Sequence, residues 1–401
     1  MPVSRRGFLR IAGARDTTGM SGAFLSARGL EAHLADAQGQ GTRARPLLPP
    51  GVDEIRISSN ENPLGPGKAA LDAILGKFPE AGRYPFNSTP SETDLVAAIA
   101  GRYKAKPENV VVGAGSQEIL KSAMRAFVSM SHGLVTALPT FENCTSFAKK
   151  YHLPLTEIKV DAAFRLDVEP MIAAATGAGL VFFNNPNNPT GTVHGASTVS
   201  DMVERIRRTS PGTVILIDEA YHDYVTDASY QTAVPLALST PNVVVTRTFS
   251  KAYGMAGPRI GYGIGMPDTI ASLARLKMPY NVSDFAIAAA ITSLNDQQHI
   301  ADERARNTSV RAFTVSALDQ MGCKAADSQG NFIFVDIGHP AKEFRDACAK
   351  LGVMVGRDFP PFEKSHCRIS VGTMDEMHRA TEVFRVALKV ATTMAGGKGG
   401  K

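Results

Sequence analysis

TRTFSKAYGMAGPRIGY, residues 246–262, follows the apolar run Val243-Val244-Val245 and sets one lysine, Lys251, in a polar turn at the end of a strand. α/β proteins place chemistry at that edge, because the strand holds the backbone rigid while the turn leaves the side chain exposed. Ser250 directly precedes the lysine and Arg259 lies eight residues on, so a hydroxyl, an ammonium and a guanidinium fall close together. Three such donors suit a phosphate-bearing cofactor. A lysine among cationic neighbours titrates below its ordinary range and forms a Schiff base with a carbonyl. An isolated Ser-Lys pair is more often a solvated loop, so the weight rests on what accompanies it.

Working outward, strand-like runs at 110–112, 134–138, 155–160, 180–183, 214–217, 243–245 and 260–264 are for the most part continuously apolar, with helices such as 199–208 between several of them. That pattern predicts a mostly parallel sheet covered on both faces. Phe183 runs into Asn184-Asn185-Pro186-Asn187-Asn188-Pro189-Thr190-Gly191, Ile217 into Asp218-Glu219-Ala220-Tyr221, and Leu138 into Pro139-Thr140-Phe141. Polar clusters at one edge of a parallel sheet are where ligand sites form. Gly113-Ala114-Gly115-Ser116-Gln117 turns from a strand into a helix whose apolar side is Ile119, Leu120, Met124 and Phe127. The first N–H groups of such a helix have no partner and make an anion cup.

Upstream, 55–67 reads as a short alternating strand ending in a Pro- and Gly-rich loop, and Arg83-Tyr84-Pro85 stands before a helix over 90–103. Downstream come helices at 267–276, 283–294 and 299–321, then strands at 332–337, 353–355 and 367–371 with helices at 341–351 and 375–390. The expected fold class is α/β: a large domain with a mostly parallel sheet flanked by helices, over 83–282, plus a small α+β domain over 283–395. Residues 1–45 form a leader, 46–82 a segment joining the small domain, and 396–401 a tail.

The chain has 401 residues, of which 44% are hydrophobic, enough to fill real cores. Its net charge of +5 is concentrated in residues 1–45, which hold seven arginines against Asp16, Glu31 and Asp36. A nearly neutral body argues against a nucleic-acid partner, which needs clustered positive charge. No apolar run approaches a membrane span, so no membrane anchor is expected. Cys144, Cys323, Cys348 and Cys367 form no Cys-x-x-Cys pair and the histidines are scattered, so no metal site is expected. Ser4-Arg5-Arg6-Gly7-Phe8-Leu9 resembles the twin-arginine export signal of bacteria, with Ala35-Asp36-Ala37 as a possible cleavage site and Arg15-Asp16 interrupting the apolar segment. That resemblance implies a periplasmic protein; the alternative is a cytoplasmic one with a disordered arm.

Taken in order, NENPLGP, RYP, GAGSQE, NNPNNPTG, DEAY, TFSKAYGMAGPRIGY, PYNVS, GNF and CRISVG cover roughly 55–388. As a set they resemble the fold-type-I aminotransferases that use pyridoxal 5′-phosphate, aspartate-aminotransferase-like in fold, and within them the histidinol-phosphate aminotransferase-like branch. The resemblance implies that Lys251 carries the cofactor covalently and shuttles the proton. It places Asp218 at the pyridine nitrogen and Tyr221 and Asn188 at the 3-oxygen. Gly115, Ser116, Gln117, Ser250 and Arg259 then hold the phosphate, and Phe141 stacks on the ring. Tyr84 matches a residue reaching the partner's phosphate across a homodimer interface. Arg368 matches the arginine that grips the substrate carboxylate, and Asn60 and Asn331 lie in loops flanking the substrate. Arg357 is placed less directly, since Gly356 intervenes where the family often reads Val-Arg.

The implied reaction moves an amino group from a small-molecule donor, histidinol phosphate foremost, to a 2-oxo acid such as 2-oxoglutarate. An aromatic amino acid donor, or decarboxylation of a phosphorylated amino acid on the same fold, are the alternatives. A catalytically silent cofactor-binding protein is the reading from another class, and the intact Lys251, Asp218 and Arg368 speak against it.

Overall fold

A computed structural model describes residues 54–396 of the chain. The export-signal expectation over 1–45 lies outside them, as do 397–401. The strands are β1 (Ile55–Ile57), β2 (Val110–Gly113), β3 (Leu134–Leu138), β4 (Leu155–Lys159), β5 (Leu180–Asn184), β6 (Val214–Asp218), β7 (Val243–Thr248), β8 (Gly261–Gly265), β9 (Lys324–Ala325), β10 (Phe332–Asp336), β11 (Val353–Val355) and β12 (His366–Ser370).

Seven of them form one sheet in the order β2-β8-β7-β6-β5-β3-β4. β7, β6, β5, β3 and β4 pair in parallel, while β8 runs antiparallel to both β7 and β2. The continuous apolar runs are explained by what each face meets. Val181 and Phe183, Ile215 and Ile217, and Val243 and Val245 enter a core shared with helix Ala196–Thr209 through Val199, Met202, Val203 and Ile206. Their alternates Leu180 and Phe182, Val214 and Leu216, and Val244 enter the opposite core, beneath Ile119, Leu120, Ala123 and Met124 of helix Ser116–Phe127. With a period of two and both faces buried, every position is apolar.

The C-terminal part has its own antiparallel sheet, β12-β10-β9, and its own core around Ile333, Val335, Phe344, Cys367, Ile369 and Phe384. Ile55 and Ile57 join that core, and β1 pairs in parallel with β11. Long helices Gln297–Asp319 and Met374–Gly396 cover it. Among the described residues no helix is long and apolar enough to cross a membrane, and no group of three or more His, Cys, Asp or Glu is placed to hold a metal ion.

Candidate active site

Strand register assembles the site. Asn184 of β5 lies opposite Asp218 of β6, and Asp218 opposite Thr246 of β7, so three polar residues end up abreast at the carboxyl ends of parallel strands. Thr246 Oγ1 donates to Asp218 Oδ1 at 2.9 Å, and Asn184 Nδ2 donates to the Asp218 carbonyl at 3.0 Å. Burial raises the Asp218 carboxyl from its ordinary 3.8 to about 7, against the opposing pull of the Thr246 bond and the Lys251 charge.

The antiparallel β8 brings in the glycine turn. Gly261 faces both Gly113 of β2 and Thr248 of β7, so the start of helix Ser116–Phe127 arrives beside Ser250 and Arg259. Gly115 has φ +74°, and a Cβ there would stand 2.4 Å from Arg259 Nη2; one on Gly261 would stand 2.4 Å from the Ser116 nitrogen. Only glycine at both positions lets the guanidinium and the strand close on the helix N-terminus. Arg259 Nη1 donates to Ser250 Oγ at 3.2 Å and to the Ala256 carbonyl at 2.9 Å. Glu118 fixes the turn by accepting from the Ala114 nitrogen at 2.7 Å, and it also accepts from the Met278 nitrogen and the Asn281 amide.

Lys251 follows three residues after β7. Its Nζ donates to the carbonyls of Asn60 at 3.0 Å and Ser59 at 3.3 Å and lies 5.6 Å from the Tyr221 ring centroid. Burial, and then the positive charge of Arg368, lower this amine to about 7. Near neutral pH a large share is therefore unprotonated and nucleophilic. Asn60 organises the opposite wall from a backbone at φ +55°. It donates through Nδ2 to the Tyr221 hydroxyl at 3.0 Å, accepts from Ser370 Oγ at 2.8 Å, and its carbonyl accepts from Asn331 Nδ2 at 3.0 Å. Burial pushes the Tyr221 phenol up to about 12, so it stays a donor throughout the neutral range.

Arg368 of β12 is buried, donating Nη1 to Asn188 Oδ1 at 2.8 Å and Nη2 to the Ser58 carbonyl at 2.6 Å. Its Nε has no partner among the described residues, and burial lowers the guanidinium to about 10 against the opposing pull of Tyr221. A desolvated guanidinium with an unmatched N–H is disposed to receive an anion. Arg357 lines the same cavity, ion-paired with Glu142 and 4.2 Å from the Phe359 ring centroid.

The cavity measures about 260 Å³. Of the expected residues, Asn60, Ser116, Gln117, Phe141, Asn188, Asp218, Tyr221, Ser250, Lys251, Arg259, Arg357 and Arg368 line it. Gly115 sits one position behind its wall, Asn331 is wholly buried and braces Asn60 and Glu61, and Tyr84 lies elsewhere on the surface at 70% exposure. Sequence reading missed Thr246, Glu118 and Glu142. The signal for Thr246 was a hydroxyl at the strand position level with Asp218; Glu142 gave none, because its partner Arg357 lies 215 positions away, and Glu118 showed only the local Ala114 contact, not its bonds to the Met278 nitrogen and the Asn281 amide.

These residues fit pyridoxal 5′-phosphate. The glycine-walled helix N-terminus with Ser250 and Arg259 matches a phosphate, the buried Asp218 carboxyl matches a protonated ring nitrogen, and the Lys251 amine matches a carbonyl. Fold and site together define a pyridoxal-phosphate-dependent aminotransferase. A family model described as aminotransferase class I and II matches residues 52–384, and the chain belongs to that family. It is similar to the histidinol-phosphate aminotransferase of Moorella thermoacetica, 34% identical over 340 residues, which are 84% of this chain and 85% of that protein. It is also similar to the aromatic amino acid aminotransferase of Thermobifida fusca, 32% identical over 338 residues, 83% of this chain and 90% of that one. The crystal structure of histidinol-phosphate aminotransferase from Sinorhizobium meliloti in complex with pyridoxal 5′-phosphate superposes with a TM-score of 0.78 at 25% identity, covering 94% of this chain and 98% of that one.

Proposed function

We propose that this aminotransferase takes histidinol phosphate as amino donor and a 2-oxo acid such as 2-oxoglutarate as acceptor. The carrying observation is the pair of guanidiniums, Arg368 and Arg357, in the cavity that holds Lys251. An amino-alcohol phosphate brings a dianion and 2-oxoglutarate a second carboxylate, and two arginines match either. The names of several relatives support the same reading.

When bound, pyridoxal phosphate supplies an electron sink that stabilises negative charge at the amino-bearing carbon. Lys251 would hold the cofactor, and its amine would serve as the acid–base group for the proton at that carbon. Asp218 keeps a proton on the ring nitrogen, while Tyr221 and Asn188 hydrogen-bond the 3-oxygen. The Gly115, Ser116 and Gln117 N–H groups, with Ser250 and Arg259, hold the phosphate. Phe141 supplies an apolar wall, Arg368 grips the substrate anion, and Asn60 and Asn331 order the loop beside it.

In a panel of donors against 2-oxoglutarate, histidinol phosphate is expected to give the highest kcat/KM. Arg357→Gln is expected to lower that value roughly tenfold or more, the worth of a hydrogen bond to a charged group. Equal or better rates with phenylalanine or tyrosine would favour the second reading, an aromatic amino acid donor. The observation behind that alternative is Glu142, which neutralises Arg357, together with the Thermobifida relative. Release of carbon dioxide without a 2-oxo product would indicate the decarboxylase.

We infer further that the protein works as a homodimer. Tyr84, Phe86 and Tyr280 form a ring cluster, with centroids 5.7 Å apart for Tyr84–Phe86 and 4.9 Å for Phe86–Tyr280, and all three are more than half exposed beside Met278. Such a patch marks an association surface. Light scattering is expected to give twice the chain mass, and Tyr84→Phe to weaken cofactor retention with little change in fold; an active monomer at working concentration sinks the idea. Export by the twin-arginine route is proposed from Arg5-Arg6. Cell fractionation beside an Arg5→Lys, Arg6→Lys variant tests it, and full-length cytoplasmic protein in both cases rules it out.

A further inference from the structure

We propose that Glu142 is an exchangeable counter-ion for Arg357. It pairs the guanidinium when the bound ligand carries no second anion and gives it up to a phosphate or a distal carboxylate, so that one cavity serves both charge classes.

The two residues belong to different parts of the fold. Glu142 follows β3 and leads into helix Asn143–Lys150, whereas Arg357 follows β11, so their ion pair spans the mouth of the site between the seven-stranded sheet and the C-terminal strands. Arg357 also lines an outer cavity of about 750 Å³ that shares Gln117 and Phe141 with the inner one and includes Glu142 itself. The pair therefore stands between the space around Lys251 and a vestibule large enough for a substrate side chain.

What makes the pair exchangeable is its exposure. The side chains of Arg357 and Glu142 are 49% and 37% exposed, so water screens the attraction and the pair is weak. The chain offers a contrast in Glu219–Arg247, at 1% and 6% exposure, where the carboxylate also accepts from Thr232 and the Ala233 nitrogen. That pair is locked in place; Glu142–Arg357 is not. Arg357 moreover keeps a second anchor, the Phe359 ring, which holds the guanidinium in position once the carboxylate leaves.

A two-stage transfer must bind two different substrates in turn at one site. An apolar side chain entering beside an unpaired Arg357 would leave a cation without a partner, and Glu142 removes that cost. A phosphate or distal carboxylate instead has to displace Glu142. The inference deepens the substrate reading above but does not require histidinol phosphate to be the donor.

The test is calorimetric titration of the holoenzyme with glutarate, a dianion, and 3-phenylpropanoate, a monoanion with an apolar end. Glu142→Gln is expected to tighten glutarate about three- to fivefold, the range an exposed ion pair is worth, and to leave 3-phenylpropanoate unchanged or weaker. In an Arg357→Gln background the same substitution is expected to have no effect on either ligand. Unchanged glutarate binding, equal tightening of both ligands, or a gain that persists without Arg357 overturns the proposal. Because neither probe is a donor, failure of histidinol phosphate as substrate would show in the kinetics and leave this result standing.

Discussion

Lys251→Ala is expected to lower turnover by roughly 10⁴-fold, the upper end of what one positioned acid–base group supplies, with far-UV circular dichroism unchanged. Lys251 is the sole lysine among the described residues lining the cavity, so no neighbouring amine can take its place. Ser250, Arg259 and the Ser116–Phe127 helix N-terminus, proposed above to hold the phosphate, do not depend on it, so the variant is expected to retain cofactor without a covalent link. Borohydride treatment followed by mass spectrometry distinguishes the two proteins: the adduct forms on the wild type and not on the variant. Full transamination by the variant would refute the assignment. Its amine carries a second, independent signature. Burial and Arg368 lower it to about 7, and the neutral form is the reactive one, so labelling of the apo chain by an amine reagent is expected to rise through pH 7 and then level. Exposed lysines keep climbing past pH 10. A Lys251 labelled only in that alkaline range would contradict the electrostatic account.

Elements and site residues differ in how openly the amino-acid sequence displays them. The parallel strands were legible because a strand buried on both faces must be apolar throughout, as 180–183 and 214–217 are. β8 was legible as a strand but not in its direction: Gly261, Gly263 and Gly265 carry no side-chain pattern, and orientation follows from packing against β2 and β7. Helices such as Asn143–Lys150 and Val168–Ala174 are too short to be legible, since two turns give little periodicity. Within the site, Lys251, Asp218, Tyr221, Arg259 and Arg368 stood out as chemically apt residues at strand ends inside a motif set, and the cavity gathers them. Asn331 was expected beside the substrate and is placed one layer back, bracing Asn60. Glu118, besides its local bond to the Ala114 nitrogen, and Glu142 act on residues about 160 and 215 positions away. Such pairings arise from the tertiary fold, and no local pattern announces them.

Asp218→Asn is expected to cost activity and gain stability, with the two effects separable by pH. The side chain keeps its shape and its place beside Thr246 but loses the charge that would hold a proton on the cofactor ring. Losing one preorganised electrostatic contact costs roughly 10²–10³-fold in kcat, and cofactor retention should weaken with it. Stability moves the other way in the apo chain. Asp218 is 2% exposed, and burial raises its carboxyl from 3.8 to about 7, so the folded state holds a proton that the unfolded chain releases across that interval. Wild-type stability therefore falls as pH rises from 4 to 7, and above 7 the full penalty is present, at most about 4 kcal/mol at 1.36 kcal/mol per pH unit. Asparagine does not ionise, so the variant's advantage in urea unfolding should be absent at pH 4, grow to pH 7 and then hold level. Adding pyridoxal phosphate should reverse the order, because the wild-type carboxylate then gains a cationic partner and bound cofactor stabilises the folded state. A pH-independent difference between the two apo proteins, or undiminished turnover in the variant, would remove Asp218 from this role.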